Sequence, residues 1–227
     1  MSQVSSSERQ KRSQADRRDE SERRLLDAMI EIVAEEGVGA TTFENIAQRA
    51  GYSRGLAFLK FGSKEGLIRA LIRRLQESRV EALRALDIGH MSGLDALNTY
   101  IRLHFDELAA TRDTRAYFTL AAGAVADLST IRHAFSETHE QRRIFLEQLI
   151  VRGQTEGCIR DDVEPTGAAL AIGSLLLGAS MQHITDPGTN MEQLKTSALA
   201  LIASGLAITR TSSSGAGGPP IRGSRRN

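Results

Sequence analysis

Two helix stops placed eleven residues apart constrain this chain most: Gly51, with Ser53 just beyond it, and the pair Gly62-Ser63. Glycine ends a helix within one residue by taking left-handed backbone angles. A serine hydroxyl after it accepts one of the unpaired N–H groups that open the next helix. The segment between them holds only a short helix, Arg54 to Phe61. A further helix then follows Ser63, with Leu67, Ile68, Leu71, Ile72 and Leu75 at three- and four-residue spacing. Upstream, Thr41-Thr42-Phe43-Glu44 reads as a capping box, the Thr oxygen accepting a backbone N–H and Glu44 reaching back to the cap. Phe43, Ile46, Ala47 and Ala50 then form one apolar face, which predicts a helix from about Thr42 to Ala50. Before it, Leu26, Met29, Ile30, Val33 and Ala34 predict a first helix from Leu25 that stops at Gly37. The predicted unit is helix, short turn, helix over Thr42 to Phe61.

The remainder supports an all-α fold. Ala, Leu, Arg, Glu and Gln dominate, Trp is absent, and only four prolines occur in 227 residues, so no strand alternation competes with helix. Gly, Asp, Ser and Pro punctuation separates helices expected at 93–110, 114–127, 130–156, 165–184 and 191–208. Residues 1–20 are polar, Ser-rich and charged, and are expected to form a mobile basic arm; 209–227 form a low-complexity basic tail. Between them we expect a helix-turn-helix head over 21–74 and a larger helical body over 75–208. Net charge follows that division: +3 over 1–74, −6 over 75–208 and +4 over 209–227. A basic end on an acidic body suits contact with a polyanion. The lone cysteine, Cys158, excludes an internal disulfide, and the start of the chain lacks the apolar core of a secretory signal, so a reducing cytoplasm is expected. Ala168–Met181 is the most apolar stretch, shorter than the roughly 20 residues of a membrane span, and is expected to be a buried interface helix rather than a membrane contact.

A helix-turn-helix reads DNA by setting its second helix in the major groove, with N-terminal side chains on base edges and nearby donors on phosphates. Arg54 stands at the start of that helix, where it would contact guanine through two hydrogen bonds; Lys60 and Lys64 would take phosphates. Ala57 and Phe61 supply scaffold. The string from Thr41 to Gly55, followed by Phe61-Gly62-Ser63-Lys64-Glu65-Gly66-Leu67, closely resembles the DNA-binding head of the TetR family of transcriptional regulators. The resemblance implies that Thr42 touches backbone, that Ser53, Arg54 and Gly55 face DNA, and that Lys64 holds a phosphate. It places Lys60 where the family often has a DNA-facing residue. Where the family usually has Thr and, two residues on, Tyr, this chain has Leu56 and Phe58, so two phosphate-binding hydroxyls are missing. Arg9, Lys11, Arg12, Arg17 and Arg18 of the arm would offset that loss along the backbone or in the minor groove, and Leu56 would meet a thymine methyl.

For the body the resemblance implies a homodimer, an inverted-repeat double-stranded DNA operator, and a pocket for a small, mostly apolar effector whose binding relieves repression. Small residues on 165–184 and apolar ones on 191–208 are the expected dimer elements. Pocket candidates are His104, Phe105, Leu108, Tyr117 and Phe118, with Met181 and His183 from the 165–184 helix. Enzyme chemistry lacks support. His133 and His139 are six apart rather than the three or four that align ligands on a helix face, and no nucleophile elbow, phosphate loop, cofactor motif or metal-ligand spacing occurs. A helical protein serving interaction alone would leave the Gly51 turn and the Ser53-Arg54 start unexplained.

Overall fold

The computed structural model describes residues 4–126 and 131–208. Among these the elements are α1 (Val4–Glu36), a 3-10 turn (Val38–Ala40), α2 (Phe43–Ala50), α3 (Arg54–Phe61), α4 (Lys64–Ala85), α5 (Gly93–Ala110), α6 (Arg112–Ala126), α7 (Ile131–Thr155), α8 (Pro165–Thr185) and α9 (Met191–Leu206). The described residues contain no strand, only an isolated antiparallel bridge between Ile159 and Ala207 that ties the loop after α7 to the end of α9. The expected basic tail, 209–227, lies outside the described residues.

Local chemistry sets the helix ends. Thr42, Ser53, Ser63, Ser92 and Asn190 each accept, through a side-chain oxygen, the N–H three residues on. The cap of α2 falls one residue later than the capping box predicts: Thr42 accepts from Asn45 N–H at 3.1 Å. Thr41 instead turns inward, and its buried hydroxyl donates to Val38 O at 2.6 Å. The register shift puts Asn45, not Glu44, three residues beyond the cap, and Asn45 uses its amide to donate to Ala40 O at 3.0 Å.

The arm is the larger departure from expectation. Residues 4–20, expected to be mobile, continue α1 as helix. Nucleation is the costly step of helix formation, and here Leu25, Leu26, Met29, Ile32 and Val33 have already fixed the helix by burial. Extension then needs only residues of adequate propensity. Glu20 pairs with Arg23 and, at 2.6 Å, with Arg24, and this adds support at the junction.

Three helices reach α1 from different sides, which is why its buried residues are not confined to one stripe: α2, α4 and α6 all pack on it. α4 leaves the head and runs into the body, where α5, α6, α7 and α8 bury Leu97, Ile101, Leu108, Phe118, Leu146, Ile150 and Leu176. α8 is long and apolar enough to cross a membrane by length and composition, yet it packs along α7, with Ala169, Ile172, Leu176, Ala179 and Ser180 buried.

The turn from α3 to α4 is the tightest place in the head. A Cβ on Gly66 would stand 2.0 Å from the Phe61 carbonyl oxygen. Gly66→Ala should therefore destabilise the protein by about 1–3 kcal/mol, against the roughly 1 kcal/mol gain that Ala brings to an ordinary helix position. Chemical denaturation measures it, and a stabilised variant would show that the turn relaxes freely.

Candidate DNA-reading surface and effector cavity

Gly51 adopts φ 74 and ψ 30, and its N–H returns to Ala47 O and Gln48 O while Tyr52 N–H bonds Ala47 O at 2.8 Å. This closes α2 and starts α3 two residues later. Ser53 accepts from Leu56 N–H at 3.2 Å, and Gly62, at φ 69, closes α3 at its other end. Buried Ala57 seats α3 against the head. Phe43 and Phe58 meet edge to face at 5.8 Å, which sets the start of α2 beside the middle of α3. Arg49 reaches Glu35 at 2.5 Å and Glu36 at 2.6 Å, tying α2 to the end of α1.

On this frame Thr42, Ser53, Arg54, Gly55 and Lys64 are exposed, and Leu56 is half-buried. Phe58 is 58% exposed despite its contact with Phe43, and Leu59, which sequence reasoning passed over, is 82% exposed. A large apolar side chain that open to water on a short, otherwise packed helix is the signal that would have found it. Lys60 departs from the predicted pattern. Its ammonium donates to Arg18 O at 2.6 Å and lies 3.9 Å from the Glu22 carboxylate, leaving the side chain 13% exposed. It holds the extended part of α1 against α3 instead of projecting outward.

In the body, α4, α5, α6 and α7 enclose a cavity of about 290 Å³. His104, Tyr117 and Phe118 line it, as the sequence suggests. Phe105 and Leu108 do not; they fill the core from other faces of α5. Met181 lines a separate hollow with Ala121, Phe135 and Leu177, and His183 lines neither space. The reason is the seal that α8 makes: His104 Nε2 bonds Leu176 O at 3.1 Å and Ser180 Oγ at 3.0 Å, so α8 closes behind His104 and adds no wall. The missing walls are Ile72, Leu75, Gln76 and Arg79 from α4, and Thr138 and Arg142 from α7. The cavity is thus more charged than the mostly apolar pocket expected. Arg79 bonds Glu107 at 2.5 Å and lies 4.5 Å above the Tyr100 ring.

Burial governs titration here. It pushes the buried His104 well below its ordinary value, with Arg79 and Arg142 adding to the effect. It raises Glu107 against the pull of the same two cations, and raises the Tyr117 phenol. His139 is also lowered by burial and by Arg142.

Residues 25–71 match the family model described as bacterial regulatory proteins, tetR family. Over these residues the chain is similar to the TetR family. The BetI regulator of Rhizobium meliloti (strain 1021) is 40% identical over 65 residues, which is 27% of this chain and 32% of the relative, so the match spans about a third of that protein. SmeT in complex with triclosan, 20% identical, superposes with a TM-score of 0.72 over 89% of this chain and 99% of the other; it is described as the repressor of the Stenotrophomonas maltophilia multidrug efflux pump SmeDEF. A transcriptional regulator from Saccharomonospora viridis in complex with choline, also 20% identical, gives 0.70 over 84% and 99%. These two likenesses establish the TetR fold for the body as well as the head. What the family model, the relatives and the fold resemble are regulators rather than enzymes.

Buried His104 and half-buried His139 carry a pH dependence. A histidine held neutral in the folded state takes up its proton on unfolding, so stability falls as pH drops below the unfolded value of about 6.5. Exposed His90, raised by Asp87, opposes this weakly. Denaturation between pH 7 and 5 should show that loss, and His104→Gln should flatten the slope by up to ~1.4 kcal/mol per pH unit. An unchanged slope would mean His104 stays neutral in both states.

Proposed function

We propose that this chain is a sequence-specific transcriptional repressor that binds an inverted-repeat operator as a homodimer and leaves it when a small effector with a mostly apolar body enters the cavity. One observation carries the DNA-binding part: Ser53, Arg54 and Gly55 stand exposed at the positive N-terminal end of a helix held at both ends by glycine turns. Thr42 and Lys64 would grip phosphate. Leu56 and Phe58 would present carbon where hydroxyls would otherwise bind phosphate, and Leu56 would meet a thymine methyl. The head is assigned to 21–74 and the body to 75–208, and the place of action is the cytoplasm, where the operator is.

Two features support a dimer built on α8 and α9. Only 28% of the most apolar window of α8 is buried within one chain, and Leu170 and Leu201 are 58% and 66% exposed. Added Cβ atoms at Gly173, Gly178 and Gly205 would meet nothing within 4 Å, so no packing inside the chain calls for those glycines, and they leave room for a second copy to approach closely. A two-fold dimer sets two α3 helices at a fixed spacing, as half-sites one helical turn or a multiple apart require.

The cavity supplies a route to release. The helix that supplies its α4 wall starts directly after α3, and the body grips α4 through Arg69 to Glu137 at 3.2 Å and Gln76 to Thr138 at 3.3 Å. An effector that favours one placement of α4 biases the spacing of the heads, and the coupling is reciprocal between effector and operator.

Selection of bound DNA from a random pool, followed by affinities at two salt concentrations, should yield an inverted repeat with a steep salt slope. Arg54→Ala should weaken the selected site by about 1–3 kcal/mol and relax its sequence preference. Lys60→Met should cost much less, because its ammonium is already engaged by α1. Failure to enrich any repeat sinks the repressor reading.

A further inference from the structure

Four ionised side chains line the cavity, and three have counter-charges: Glu107 bonds Arg79, and Asp113 lies 3.8 Å from Arg74, which also holds Asp27 at 2.6 Å. Arg142 is the exception. Among the described residues no carboxylate stands within ion-pair distance of it, although it is only partly exposed. Beside it stands the Tyr117 hydroxyl, buried and without a hydrogen bond of good geometry. The neighbouring Thr138 hydroxyl is already used, donating to Ala134 O at 3.0 Å and accepting from Gln76. Ile72, Leu75 and Phe118 make the wall apolar on the other side.

We propose that the effector of this cavity carries an anionic head on an apolar body, the head accepting hydrogen bonds from the Arg142 guanidinium and the Tyr117 hydroxyl. This rests on the cavity being the effector site. A half-buried cation with no carboxylate at ion-pair distance is costly, and an anion of planar, two-oxygen geometry offsets that cost best. A quaternary ammonium would face Arg142 and find both carboxylates engaged. The field of Arg142 reaches across the cavity, where it depresses His104, and the raised Tyr117 keeps its proton to donate. A volume of about 290 Å³ is at the small end of ligand sites, enough for a compact body or a short chain.

The test uses the full chain and four probes of one body: octanoate, octanesulfonate, octanol and octyltrimethylammonium, each titrated calorimetrically below its micelle concentration. The two anions should bind at least about tenfold more tightly than octanol, and the ammonium least of all. Arg142→Met should remove that preference, lowering octanoate affinity about tenfold or more while leaving octanol unchanged. Octanol or the ammonium matching octanoate overturns the inference, as does the absence of binding by all four; these arms need only the unaltered protein. Leu75→Trp, checked for helix content and DNA binding, fills the cavity and should abolish octanoate binding. Octanoate binding that survives Leu75→Trp overturns the underlying reading instead, because the ligand then sits elsewhere.

Discussion

One row of side chains along α4 governs both halves of the molecule. Leu67, Ile68, Leu71 and Ile72 are buried where the helix leaves the head, and the same row continues through Leu75 to Arg79. The first part is ordinary core, each residue contributing about 1.5–3 kcal/mol by burial. The last part is a cation in a position that periodicity reserves for a hydrocarbon. α4 is therefore held rigidly where it meets α1 and polar where it borders the cavity. A helix continuous through both regions cannot adjust at one end without carrying the other, since interiors packed at crystal-like density shift as units.

What the sequence makes legible follows from range. Helix ends depend on residues two to four apart, and Gly51, Ser53, Gly62 and Ser63 declare the bounds of α3 unaided. The capping box went astray by one residue because Thr41 and Thr42 offer the same hydroxyl, and only the 3-10 turn at Val38–Ala40 decides which faces inward. Likewise, nothing local to residues 4–20 records that a buried helix follows them and bears the cost of nucleation. The cavity depends on four helices, and its walls are the least legible part. Candidates drawn from α5, α6 and α8 found His104, Tyr117 and Phe118 but missed α4 and α7. Charged residues on apolar stripes would have served better: Arg79 follows Ile68, Ile72 and Leu75, and Arg142 falls between Phe135 and Leu146 on α7.

The head shows how one lysine can change role without changing position. At Lys60 the helical register is as expected, yet α1 is longer than its apolar stripe, and its extra turns bring the Arg18 carbonyl and Glu22 within reach. The ammonium thus joins the first and third helices. The outward face of α3 is left to Arg54 at its start and to Phe58 and Leu59 farther along, a surface whose electrostatics come from the helix N-terminus and one guanidinium while its later turns are carbon.

The pairing of Arg79 with Glu107 bears on why the cavity stays polar. Removing two charges from water is costly, and well-packed hydrophobic residues of the same volume would often give equal or greater stability. Glu107 registers that cost in its raised pKa, and Arg79 leaves Nε and Nη2 without hydrogen-bond partners above the Tyr100 face. The pair fixes the rotation of α4 against α5, because a shift along either helix would strand one charge without its partner. Such a contact has two discrete outcomes, made or broken, where a hydrocarbon contact would slide. That is the property a wall needs if occupancy of the cavity is to be read at the other end of α4.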